Sequence, residues 1–362
     1  FFKRMRVLCN GQVVEDIDNY NRVHQMFSIL KPKDVRVNDT TEGFGREYPV
    51  DADKPSNLQY KGIPPTQAQT VLFKPLSGLL DQNKYLPIRY CPLTIELELV
   101  SDSTIPIMSK KSSTALGFTT DNISLLWHIE NVQAKCDMCT LDNALDNSYA
   151  EHLLSGKSLP INYNTYISQI QSLLISGNNG QKDVRLNITR ALSRLKSVFV
   201  TLDRAVEYEE DFWYRKDWND FYSPMLPYRS TGIYQYHEDG EFEFQLQLGG
   251  KLYPEYPIRS HSEAYYQLRK TTGGSMASHA NFDINASEYR NNKFVIGIDM
   301  EKVLEAGFTG ANTRAGDILN VSFKHREDKR GKTDKHYAHD MHVLLHSDNI
   351  MEVRDSGITI FD

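Results

Sequence analysis

The sequence predicts an all-β chain, folded as antiparallel sandwiches with short helices in the connections, and three observations carry that prediction. Leu93, Ile95, Leu97 and Leu99 alternate with Thr94, Glu96 and Glu98, and Phe242, Phe244, Leu246 and Leu248 alternate with Glu243, Gln245 and Gln247 until Gly249-Gly250 ends the run. A period of two places one face in a core and the other in water, as in antiparallel sheets with a solvated side. Helical periodicity is confined to short stretches. The length, 362 residues, is enough for two hydrophobic cores, since about 150 residues per domain is the usual prior.

In chain order, residues 5–8 read as the first strand. Residues 16–27 read as a helix, with Ile17, Tyr20, Val23 and Phe27 three or four apart. Residues 69–73 and 124–132 are rich in β-branched and aromatic side chains and are expected as strands. Tyr163, Ile167 and Ile170 suggest a helix over 163–175. Strands follow over 196–202, 294–298, 317–323, 341–346 and 357–361, with helices over 262–268 and 300–305. The order strand, short turn or helix, polar loop, strand occurs twice, from Phe73 to the strand at Leu93 and from Ile296 to the strand at Ile318. This echo suggests two copies of one unit. Residues 1–123 are expected as the C-terminal part of the first and residues 124–362 as the second. The first copy has far fewer residues before its motif, so its opening strands are expected upstream of Phe1, consistent with the absence of an initiator Met.

Composition narrows the function classes. Lys and Arg number 41 against 47 Asp and Glu, a net charge of -6, and no basic field is present to recruit a polyanion by counterion release. Specific nucleic-acid binding is not expected. A hydrophobic content of 40% suits a folded globular chain. No run approaches the roughly 20 apolar residues of a membrane helix, and the start lacks the layout of a signal peptide. Four cysteines make no disulfide framework, so folding in a reducing compartment is expected.

Candidate chemistry is thin. Cys136-Asp137-Met138-Cys139 has the spacing of half a zinc site or a redox pair, without two further ligands or a βαβ setting. His336, His339, His342 and His346 cluster in sequence, but a strand puts His339 opposite His342 and His346, and solvated histidines beside a turn are the ordinary outcome. Glu209-Glu210-Asp211 reads as a solvated loop face, and Arg190, Arg194 and Lys196 as balanced surface charges. Asn-x-Ser/Thr triplets at Asn122, Asn187, Asn285 and Asn320 are chance matches without a secretory route. No nucleophile elbow, phosphate loop, His-Glu-x-x-His helix or dinucleotide fingerprint is present. No catalytic residue, cofactor or metal is assigned. Between Asp203 and Asp239 alternation gives way to a long aromatic segment, and segments of this kind cover a surface or carry function. Phe212, Trp213, Tyr214, Trp218, Phe221 and Tyr222 are therefore candidates for a subunit interface, where aromatic residues are enriched. A loop folded onto its own domain is the alternative.

Four separated patches carry a family resemblance. Residues 6–22 (Arg6-Val7-Leu8-Cys9-Asn10-Gly11 onward), 73–80 with Tyr85-Leu86-Pro87-Ile88-Arg89, 249–257 (Gly249-Gly250-Lys251-Leu252-Tyr253-Pro254-Glu255-Tyr256-Pro257), and 344–357 through Ser347-Asp348-Asn349 resemble, in order, the double jelly-roll major capsid proteins of Polinton-like viruses and virophages. The resemblance implies two jelly-roll β-sandwiches in tandem, the first without its N-terminal strands in this sequence. It implies a non-enzymatic structural protein that forms homotrimeric, pseudo-hexameric capsomers and then the icosahedral capsid lattice of a virion. Penton and minor capsid proteins would be its other partners. A carbohydrate- or receptor-binding β-sandwich of a virion is the alternative, and a β-sandwich glycoside hydrolase with two opposed carboxylates a further one.

Overall fold

The computed structural model describes residues 1–32, 35, 43, 46–47, 59–60, 68–101, 106, 126–172, 182–204, 221, 223, 241–273, 284–291, 293–301, 310–314, 317–326 and 338–362. Strands dominate these residues, in the order β1 (Phe2–Cys9), β2 (Gln12–Asp18), α1 (Tyr20–Ile29), β3 (Arg46–Glu47), β4 (Gln59–Tyr60), α2 (Gly78–Asp81), β5 (Leu93–Leu99), α3 (Asn143–Leu154), β6 (Leu159–Ser172), β7 (Lys182–Ile188), β8 (Leu195–Arg204), β9 (Glu241–Leu248), β10 (Lys251–Ile258), α4 (His261–Gly273), α5 (Ala286–Asn291), β11 (Ile296–Asp299), β12 (Leu319–Arg326), β13 (Ala338–Arg354) and β14 (Gly357–Phe361). They belong to two compact units, each assembled from separate stretches of chain. The boundary expected after residue 123 lies outside the described residues.

The first unit comprises Phe1–Asn21, Lys74–Ile167 and Asp348–Asp362. Its three-stranded sheet has the order β2-β1-β5, antiparallel throughout. Gly11, at φ 77, closes the tight β1–β2 turn in a conformation that side chains other than Asn, Asp or Gly rarely accept. Met5, Val7 and Cys9 fill the inner face and are fully buried. Register slips by one residue at Val14, opposite Val7 and Leu8, a bulge that leaves Val14 and Glu15 both buried. The Tyr163 hydroxyl of β6 donates to the Val14 carbonyl at 3.0 Å, and the Leu76 amide donates to the Tyr20 hydroxyl at 2.7 Å. In the last stretch, β14 pairs antiparallel with Ile350 to Arg354 of β13.

The second unit, Arg22–Phe73 and Ser168–Ser347, contains a four-stranded sheet of order β10-β9-β12-β7. Phe242, Phe244 and Leu246 of β9 meet Leu319, Val321 and Phe323 of β12 in one apolar layer, all buried. A second sheet places β8 between β11 and β13. Val198, Val200 and Leu202 line one face of β8 while Phe199, on the other face, takes the edge of Phe27 from α1 with ring centres 5.5 Å apart. Helix α4 lies on β11, where Gly297 lets Leu268 approach so closely that an added Cβ would sit 3.0 Å from its methyl.

Several expectations fail for identifiable reasons. Residues 163–175 were expected as a helix; β6 is a strand, and Ile161, Tyr163 and Thr165 show its two-residue burial. The expected helix over 16–27 starts later, because residues 12–18 pair with β1 as β2. Residues 69–73 and the described part of 124–132 form no strand. The expected helix at 300–305 falls mostly outside the described residues. Helix α3, capped by the Asp142 carboxylate receiving the Leu145 amide at 2.8 Å, was not anticipated.

Candidate assembly surface

Of the six aromatic residues expected at a subunit contact, Phe212, Trp213, Tyr214, Trp218 and Tyr222 lie outside the described residues. Phe221 packs inside its own unit and is 1% exposed, which leaves its ring almost no area for a neighbour. It bridges Lys293, accepts the Phe294 amide at 3.0 Å, and lies under the Arg22 guanidinium, 4.8 Å from the ring centre. Arg22 in turn pairs with Asp203, whose other carboxylate oxygen meets His342 Nε2 at 2.6 Å. These three side chains join α1 to β8 and β13.

The histidines divide among separate partners. His342 faces Asp203, whereas His346 meets Ser197 Oγ at 3.1 Å, and burial, with Lys196 nearby, pushes its pKa down to about 3. His346 is therefore neutral at physiological pH. His336 and the His339 side chain lie outside the described residues. Among the described residues no group of three or more His, Cys, Asp or Glu is placed to hold a metal ion. Cys136 and Cys139 are exposed thiols.

Among the described residues two Ser–His pairs occur, and neither presents a nucleophile. Ser223 Oγ lies 2.8 Å from His261 Nε2, but Ser223 is fully buried and the His261 ring packs against Phe242, Tyr289 and Phe294. Burial, with Arg290 nearby, lowers the His261 pKa to about 4. Ser197, beside His346, is buried as well. A hydroxyl that no substrate can reach does no acyl transfer.

Two groups in the first unit escaped the sequence reading. Glu15 points inward from the β2 bulge, accepting the Ser77 hydroxyl and the Gly78 and Leu79 amides, the latter two at 2.9 and 3.3 Å. Burial outweighs these donors and raises its pKa to about 7. Cys9 and Cys91, far apart in sequence, have neighbouring buried thiols, and the hydrogen bond that the Cys9 thiol donates to Cys91, together with burial, pushes the Cys9 pKa up. Ser77 was legible as part of a turn; its pairing with Glu15 had no local signal.

The apolar side of β5 is where the sequence reading and the structure differ most usefully. Leu93, Ile95, Leu97 and Leu99 were expected in a core, yet Ile95 is 41% and Leu99 48% exposed, although Val7, the partner of Ile95 across the strand pair, is fully buried. Among the described residues β5 ends its sheet. Further along, residues 128–142 run without helix or strand, and every one is exposed, Val132 to 76% and Met138 to 67%. Trp127, at the root of this arm, rests edge-on against Phe1 with ring centres 4.9 Å apart. Chemically the surface offers apolar area and strand-edge amides for another protein.

No protein-family model matches the sequence, and no curated protein matches it significantly. Solved structures do. The chain aligns over 100% of its length with 83% of a chain in the quasi-atomic model of the PBCV-1 virus capsid, at a TM-score of 0.51 and 10% identity. It aligns equally completely with 83% of PBCV-1 VP54, a crystal structure fitted into a reconstruction of the virophage Sputnik, at a TM-score of 0.56 and 10% identity. At that identity the similarity concerns fold, and the fold of this chain is the double jelly roll of those viral capsid proteins.

Proposed function

We propose that the chain is a major capsid protein, a non-enzymatic building block of the icosahedral shell of a double-stranded DNA virus of the Polinton-like or virophage kind. The observation that carries this reading is a fold shared with virus capsid chains over the whole length of this one. Supporting it, the single chain leaves strand β5 and the 128–142 arm uncovered, as expected of a subunit whose flanks are closed by other subunits. Three copies would form a pseudo-hexagonal capsomer, capsomers would tile the lattice of the virion, and penton and minor capsid proteins would complete it. Among the described residues no helix is long and apolar enough to cross a membrane.

Native mass spectrometry of the purified protein is expected to give a trimer, and negative-stain images particles of roughly hexagonal outline. A monomer at micromolar concentration that binds members of a glycan array would instead establish a carbohydrate-binding sandwich.

A further inference from the structure

Seven residues of the exposed arm repeat the design of β5. Val132, Ala134, Cys136 and Met138 alternate with Gln133, Lys135 and Asp137, the pattern of a half-buried strand, yet all seven are exposed, Val132 to 76% and Met138 to 67%. Strand β5 spans seven residues, with its apolar side chains half-covered and its outer edge unpaired among the described residues. At about 3.3 Å per residue the two segments match in length, roughly 23 Å each. The polar faces are complementary in an antiparallel register: with Lys135 opposite Glu96, Gln133 lies opposite Glu98 and Asp137 opposite Thr94, so the arm's one carboxylate avoids both glutamates. Glu96 already pairs with Arg6 of β1 at 3.3 Å and is still 46% exposed, which leaves its outer side open to Lys135.

We propose that residues 132–138 of one copy add a fourth strand to the β2-β1-β5 sheet of a neighbouring copy, at the free edge of β5. Backbone amides complete the ladder, the apolar side chains of the arm cover Ile95, Leu97 and Leu99, and Lys135 lies near Glu96 and Glu98. The occupant is a second copy because one chain carries both halves of the complementary pair, an exposed arm and a sheet edge that no described strand pairs. Such an interface is heterologous: arm and edge are different surfaces, so each copy gives one and receives one, and the contact closes into a ring when the rotation between copies permits. The inference rests on the trimer proposed above and names the segment that links its members.

The test uses the full chain with Cys139→Ser, leaving Cys136 as the exposed thiol, and adds Ile95→Cys, Leu97→Cys or Leu99→Cys in turn. Mild oxidation with a copper–phenanthroline complex is expected to produce covalent dimers and trimers for at least one of the three, reversed by dithiothreitol. In parallel, the double variant Val132→Asp, Met138→Asp is expected to raise the trimer dissociation constant at least tenfold with unchanged circular dichroism. Trimers that form no cross-link and tolerate the arm variant would overturn this linkage while leaving the capsid reading intact. Cross-links found only within one chain would overturn it too, since the arm would then cover its own β5. A wild-type protein that stays monomeric would defeat both.

Discussion

A carboxyl group that is 1% exposed must be held by donors or keep its proton, and Glu15 does some of each. The Ser77 hydroxyl and two amides at the start of α2 stabilise the anion, while loss of water disfavours it more strongly. The sign of its pH dependence follows. Between the ordinary carboxyl pKa of 4.5 and the folded value of about 7, the folded chain keeps this proton and the unfolded chain releases it. Raising the pH through that window therefore favours unfolding, by at most roughly 1.4 kcal/mol per pH unit, with no further contribution from this group below or above it. Glu15→Gln, neutral throughout, is expected to flatten this part of the profile, as measured by urea midpoints at pH 5, 6, 7 and 8. An unchanged slope in the variant would assign the effect to other groups. Nothing near Glu15 in sequence announced its burial, because a one-residue bulge turned it inward and its donors lie more than sixty positions away.

Elements were legible where the local run itself reports a strand, by alternation in β9 and β12 or by β-branched and apolar content in β8 and β13, which are buried on both faces. Strand β14 coincides with the expected 357–361, and β8, β9, β12 and β13 fall where alternation or β-branched runs placed them. Strand β6 did not, because Tyr163, Ile167 and Ile170 fit a helical spacing, whereas in the strand Ile170 turns to the other face and is 40% exposed; the arbiter is the partner β13, which has no trace in the local sequence. The lesson of β5 is different: alternation reports that one face needs cover and says nothing about which molecule supplies it. Helix α2 shows how tightly elements are fitted, since a Cβ on Gly78 would overlap the Asn164 carbonyl of β6. Gly78→Ala is thus expected to cost roughly 3 kcal/mol or to prevent folding, read as a lowered thermal midpoint or loss of soluble protein. Gly156, which has open space around its Cβ position and a φ of 79, provides a control in which only backbone strain acts, about 1 kcal/mol on substitution by Ala.

For the whole molecule, the aromatic stretch bearing Trp213 and Trp218 remains a proposed contact between subunits. Replacing both by Ala is expected to weaken trimers while leaving the monomer folded; native mass spectra with trimers undiminished would remove these residues from the interface. Phe221, ten residues or fewer from both, is already committed to the Arg22 guanidinium and the interior of the second unit, so any contact made by this stretch comes from its other rings. That distinction was out of reach of sequence, where six aromatic residues look alike and only packing separates an anchor from a contact.

The first compact unit takes its strands from both ends of the sequence, with Phe1–Asn21 joined by Asp348–Asp362, and β6 and β13 each run from one unit into the other. During synthesis that unit stays open until residues 348–362 have left the ribosome. A chain that stops short of residue 348 therefore cannot complete this unit, whatever it has already folded of the other.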